Sequence, residues 1–189
     1  SAAVAANTAK VGITTAQASA IVLNTAKVGV STAAQTIDGV KTFTSDILVN
    51  GVFVGKGAGS SGSTARIGTS ALESNTSGNA NFAGGNESLQ KNTTASNNTG
   101  AGFGSLANNV LGNNNAAIGF EAGRFISDSV TLATSIINSI FLGSRARPLA
   151  DSQSNQIVIG TGAVGLGSNT TVIGTAATVF GRWFGRLLV

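Results

Sequence analysis

The chain has 189 residues, of which 26 are glycine, 5% are aromatic and 10% are charged, with a formal net charge of +4. A typical domain is roughly 25% charged, so this composition lacks the bulk for a thick core and suits a thin repetitive fold closed by backbone hydrogen bonds. The eleven basic residues are scattered, which argues against a nucleic-acid surface, and the absence of Cys and His excludes disulfides, thiolate metal sites and the common catalytic triads.

Residues 1–35 carry a first repeat, in which Asn7-Thr-Ala-Lys-Val-Gly-Ile13 recurs as Asn24-Thr-Ala-Lys-Val-Gly-Val30, a period of seventeen. Thr14 or Thr15 can cap a helix over the alanine-rich run from Ala16 to Lys27, and Gly29 lies where a helix-ending glycine belongs. Val4, Val11, Ala18, Ile21 and Val28 form a narrow apolar stripe. Such a helix is marginal alone and predicts a short coiled-coil-like stalk of several copies, the alternative being a flexible linker. No basic-then-apolar leader opens the chain, and the absence of methionine, including at position 1, is what a processed or partial piece of a longer chain is expected to show. No apolar run approaches the ~20 residues that span a bilayer.

Residues 36–63 read as a β neck and a connector. Asp38-Gly39 and Asn50-Gly51 are hairpin turn signals beside the alternating runs Val40–Thr44, Ile47–Val49 and Val52–Val54. The glycine-serine run from Gly55 to Ser63 lacks the order of a phosphate-binding loop and precedes no helix.

From residue 64 the chain is a ladder. Gly68, Gly85, Gly102 and Gly119 recur with the same period of seventeen, and the phrase resumes at Gly143, Gly160 and Gly174. Three residues after each of the first four glycines comes a small residue (Ala71, Ser88, Ser105, Ala122), followed by Leu72, Leu89, Leu106 and Gly123. A period this short means one solenoid turn per repeat. Each glycine closes a short strand. The residues three and one before it, such as Ala116 and Ile118 or Ile140 and Leu142, are expected to face inward, and the intervening residue outward. With Phe141, Val158 and Val172 in that outward slot, the later strands are apolar on both faces and call for cover by neighbouring chains. Twelve asparagines between Asn75 and Asn115 suit left-handed corners and side-chain ladders. In the second rung, Phe82-Ala-Gly-Gly85 replaces larger residues and predicts an irregular coil.

Residues 124–154 interrupt the ladder. The step from Gly119 to Gly143 exceeds the regular period by seven, and the extra residues are expected to bulge outward, as a recognition loop or as a neutral insertion. Ser144–Ser154 reads as a second exposed turn containing the single proline. Arg124, Asp128, Arg145 and Arg147 are the candidate exposed recognition residues. Residues 155–189 form a distal roll and an apolar end holding the single tryptophan, fit for burial between chains or for leading into a further domain.

Seven carboxylates remain for chemistry. Glu87 and Glu121, each two residues past a ladder glycine, fall on one side of the shaft, two rungs or roughly 9–10 Å apart. Glycoside hydrolysis needs a facing carboxylate pair, but a solvated surface pair is the plainer expectation. No catalytic residue, cofactor or metal ligand is assigned.

The Asn-Thr-Ala-Lys-Val-Gly repeats, the run Gln35-Thr-Ile-Asp-Gly-Val-Lys-Thr-Phe43 and the rung Asn114-Asn-Ala-Ala-Ile-Gly119 resemble bacteriophage tail-fibre proteins. So do Asn155-Gln-Ile-Val-Ile-Gly160 and Gly167-Ser-Asn-Thr-Thr-Val-Ile-Gly174. The ladder is also similar to the β-roll heads of trimeric autotransporter adhesins. The resemblance implies a mostly β fold: a left-handed-type trimeric β-roll or solenoid shaft with a short N-terminal helical stalk. Its implied partners are two identical chains, other virion proteins at the N-terminal end, and a host surface glycan or protein receptor. Its implied location is the virion surface, with no nucleic acid or membrane span involved. Many such fibres end in a self-cleaving chaperone, for which the segment 175–189 is too short. A bacterial surface adhesin, a capsid-attached head fibre and a polysaccharide-degrading spike are the competing expectations.

Overall fold

The computed structural model describes residues 45–58 and 63–177. The helical stalk, the Asp38-Gly39 turn and the tryptophan-bearing C-terminal end lie outside these residues. Nine strands form one sheet in chain order: β1 (Ile47–Val49), β2 (Val52–Gly55), β3 (Ala65–Ile67), β4 (Phe82–Gly84), β5 (Thr99–Ala101), β6 (Ala116–Ile118), β7 (Ile140–Leu142), β8 (Ile157–Ile159) and β9 (Thr171–Ile173). β1, β2 and β3 pair antiparallel. Every later pair is parallel, each strand lying one coil beyond its predecessor. The result is a β-solenoid of about six turns on the period read from the sequence, entered through a hairpin.

The hairpin turn is Asn50-Gly51, with φ of 48° and 81°, the left-handed pair that a two-residue turn between twisted strands requires. In the coils, three recurring positions take positive φ. Five residues before the ladder glycine stand Ala80, Asn97, Asn114, Asn138, Asn155 and Asn169. Two after it stand Ser70, Glu87, Gly104, Glu121, Arg145 and Gly162, and four after it Leu72, Leu89, Leu106 and Gly123. These corners bend each coil through backbone geometry, so corner side chains are free to stack.

The ladder glycines have a different cause. Gly102 takes φ +132°, and a Cβ added there would sit 2.5 Å from the Gly119 carbonyl oxygen. Consecutive coils touch backbone to backbone along this column, a contact that no side chain permits.

Asparagine supplies the cross-links between coils. Asn98 Nδ2 donates to the Gly112 carbonyl, and its Oδ1 accepts from both the backbone N–H and the Nδ2 of Asn115. Asn81 Oδ1 accepts from Asn98 N–H, and Asn115 Oδ1 from Ser139 N–H, so this buried column spans four coils. An exposed column runs beside it, Asn97 donating to Asn114 and Asn114 to Asn138. The expected asparagine ladders are therefore present, one inside and one outside.

The facing of the strands is the reverse of the sequence expectation. The intervening residues Ala83, Ala117, Phe141 and Val158 are fully buried, whereas Ile118 is 51% exposed and Ile67, Phe82, Ile140, Ile157 and Ile173 also reach the surface. Space is the reason. The interior already holds Leu72, Leu89 and Leu106 at 0% exposure, which leaves room for only alanine or glycine beside them on β4, β5 and β6. The second coil is regular rather than irregular: β4 pairs in register on both sides, and the Phe82 ring lies over Gly84, within 3.1 Å of where a Cβ would be.

The 124–137 bulge is a compact loop. Phe125 bridges Leu132 antiparallel, Ile126 N–H donates to Thr131, and Ala133 and Ile136 return to the core. Residues 144–154 are more than the expected exposed turn. Ala146 and Pro148 are buried, Arg147 bridges Val164 in parallel, and Asp151 accepts from the N–H groups of Thr134 and Ser135. The segment is a stacked coil because its backbone pairs with the coils on either side.

Candidate functional site

The position two residues past the ladder glycine places Glu87, Gly104, Glu121 and Arg145 in one column on successive coils, joined by backbone bonds such as Glu121 N–H to Phe103 and Arg145 N–H to Phe120. Arg124, at the entrance of the bulge, lies across this column. Its Nη1 is 3.1 Å from Glu87 Oε2 and 3.6 Å from Glu121 Oε1. Gly104 makes the crossing possible, since a Cβ there would sit 2.5 Å from that same nitrogen. Arg145 Nε then reaches Glu121 Oε2 at 2.9 Å. The four side chains form one alternating chain, Glu87–Arg124–Glu121–Arg145, of which Arg145 is the most exposed at 58%.

Aromatic rings flank it. Phe103 and Phe120, one residue past their glycines, stack at 5.4 Å between centroids. The Arg124 guanidinium sits over Phe103 and Phe125, and that of Arg145 over Phe120 at 5.3 Å. Cation–π contacts of this kind are worth about 0.5–1 kcal/mol at exposed sites, and here they fix where each guanidinium lies.

The candidate recognition residues divide accordingly. Arg124 is largely enclosed, its side chain 21% exposed and engaged with two carboxylates. Arg145 projects. Arg147 donates from Nη1 to the Arg145 carbonyl and from Nε to the Ser127 carbonyl. Asp128 folds its own loop: its carboxylate accepts from Val130 N–H, Thr131 N–H and the Thr131 hydroxyl. These bonds, the Thr131 side chain first, hold its carboxyl below the usual range, aided by the charge of Arg147. Glu121, Phe125, Ser129, Arg145 and Arg147 line a cavity of about 230 Å³ beside the bulge.

The cavity thus brings Arg145 and Arg147 of the following coil beside Phe125 and Ser129 of the bulge, while Asp128 holds the bulge's own loop. Glu87 and Glu121 lie on one side of the shaft as expected, but Arg124 fills the space between them. Phe103, Phe120, Phe125 and Ser129 carry no sequence signal that marks them as part of a site. The signal that finds the column is opposite charge at the same rung position, Glu121 followed by Arg145. A second ion pair holds the neck, where Arg66 meets Asp46 at 2.6 Å beneath Phe53. Burial would raise the Asp46 carboxyl, but hydrogen bonds from Lys56 N–H and Arg66, the Arg66 charge and Gly57 N–H outweigh it and leave it lowered.

Among the described residues, no group of carboxylates is arranged to hold a metal ion, and no helix is long and apolar enough to cross a membrane. No protein-family model, curated protein or solved structure matches the chain.

Proposed function

We propose that the chain is the shaft of a bacteriophage tail fibre, a parallel homotrimer on the virion surface that attaches the particle to a host cell. The observation that carries this reading is the outer face of the sheet. Ile67, Ile118 and Ile173, one residue before their ladder glycines, and Phe82, Ile140 and Ile157, three before theirs, are each at least 37% exposed and lie in two neighbouring columns of the outer face. Exposed large apolar side chains grouped on one face mark an interaction surface, and a face carried on successive coils is matched best by a second copy in register. The stiffness of the shaft comes from its backbone and asparagine ladders, and its adhesive contacts from the bulge. The reading assigns the chain no catalytic step, and its partners at the N-terminal end are other virion proteins.

Light scattering at micromolar concentration is the test. The expected particle has three times the 18.6 kDa chain mass; a stable monomer overturns the proposal.

A further inference from the structure

We propose that the cavity beside the bulge is a binding site for an acidic saccharide, with Arg147 holding the anionic group and Phe125 taking the face of the sugar ring. The proposal deepens the attachment reading, on which it rests, by naming the ligand class.

Charge compensation points to an anion. Every other cation in this region has a carboxylate: Arg124 has Glu87 and Glu121, and Arg145 has Glu121. Arg147 is half-buried and makes no ion pair among the described residues. Its bonds go to two neutral carbonyls, those of Ser127 and Arg145. Asp128 is near enough for its charge to be felt, but it makes no direct contact with Arg147, and its hydrogen bonds go to Val130 and Thr131 of its own loop. A half-buried guanidinium in direct contact with no carboxylate, on the wall of a cavity, favours a ligand that brings its own negative charge.

The walls point to a sugar. A space of about 230 Å³ takes one ring rather than an extended peptide, and its lining mixes Phe125, one face of which is covered by Arg124, with Ser129 and Glu121, residue types that match the apolar face and the hydroxyls of a pyranose. The two arginines are positioned beforehand. Arg145 is fixed by Glu121 and the Phe120 ring, and Arg147 by its two carbonyls. Ordering them therefore costs little on binding. The neck offers a contrast. Its cavity is lined by Arg66, Phe53 and Glu73, but all three nitrogens of that guanidinium are taken, by Asp46 and the Ala71 carbonyl.

Saturation-transfer NMR and calorimetry on the full chain test the assignment, with methyl glucuronide, methyl glucoside, acetate and an oligoglutamate peptide as probes. The glucuronide is expected to bind at least about tenfold more tightly than each of the others, the scale of one charge-assisted hydrogen bond. Arg147→Gln should remove that preference, and Phe125→Leu should weaken glucuronide and glucoside alike. Equal binding of the glucoside overturns the anion, and equal binding of acetate overturns the ring. Tighter binding of the peptide replaces the saccharide with an acidic protein segment. No binding at millimolar concentration, or binding that neither variant alters, overturns the site altogether. Should Arg147→Gln fail to fold by thermal melting, Phe125→Leu and the wild-type probe series still decide. Light scattering on the same samples separates the two proposals, because a trimer that binds no saccharide sinks the site and leaves the fibre.

Discussion

The early coils and the later coils fill the same cross-section with different residues. In the coils of β4 and β5 the strand contributes only Ala83 and Gly100 to the interior, and the bulk comes from Leu89 and Leu106 at the corner that follows. After β6 the arrangement changes: the corner residue is Gly123, and its space is taken by Leu106 of the coil before and Phe141 of the coil after. A Cβ on Gly123 would lie 2.7 Å from Leu106 and 3.3 Å from Phe141. The corner leucines hold φ near +50°, a conformation that costs roughly 1–2 kcal/mol each. Burying a leucine contributes about 1.5–3 kcal/mol, which offsets that strain. What the fold conserves is the volume inside a coil, and the position that supplies it is free to move.

The largest expected effect separates inside from outside. Val158→Asp buries an unpaired charge and should abolish cooperative unfolding, a loss of several kcal/mol in circular-dichroism melts. Ile118→Asp, on the exposed face, should leave the coil folded and reduce the particle to a single chain by light scattering. If Ile118→Asp unfolds an isolated chain while Val158→Asp does not, the strands face the other way.

The two asparagine columns give the next contrast. Asn98→Ala leaves the buried Asn115 N–H without a partner, at about 1–3 kcal/mol, and removes one of the two bonds to the Gly112 carbonyl, which keeps that from Asn109. Asn97→Ala, on the exposed column, should cost about 1 kcal/mol, mainly for placing alanine at positive φ. Equal losses in urea titrations would contradict the division into buried and exposed columns.

Gly123→Leu tests the exchange of volume directly. Overpacking should cost about 1–3 kcal/mol, and Phe141→Ala in the same chain should recover part of it. A double-mutant cycle without coupling would show that the two positions do not share space.

The smallest expected effect is with pH. Burial raises the Asp151 carboxyl, but hydrogen bonds from the Thr134 side chain and from Ser135, Ser152 and Thr134 N–H outweigh it, leaving the folded value below the ordinary 3.8. A depressed carboxyl contributes stability above its unfolded value, and that contribution is lost as pH falls through the folded one. Thermal midpoints should therefore hold down to about pH 4 and drop below it. Asp151→Asn should flatten that drop, and an unchanged acid slope would remove Asp151 from the account.

The period, the Asn50-Gly51 turn and the asparagine columns are legible in the sequence because each follows from local backbone chemistry. The facing of the strands is not. Isoleucine at positions such as Ile118 and Ile140 reads as interior on hydrophobicity alone, and only the volume already taken by Leu89 and Leu106 forces it out. Of the candidate site, the bulge and its arginines are legible from the break in spacing. The chain from Glu87 to Arg145 is hidden, because it depends on Arg124 crossing above Gly104, two coils from Glu87, and no local pattern announces a side chain that spans coils.

The glycine column gives the shaft a direction. The space denied to a side chain at Gly85 is occupied by the backbone of Gly102, and that at Gly102 by Gly119. An alanine introduced at one rung would therefore strain its own backbone at positive φ and press its Cβ against the rung that follows. Steric lesions in this solenoid should propagate from the substituted rung toward the C-terminus, so the coils upstream of a damaged glycine would remain a sound template while those downstream lose theirs.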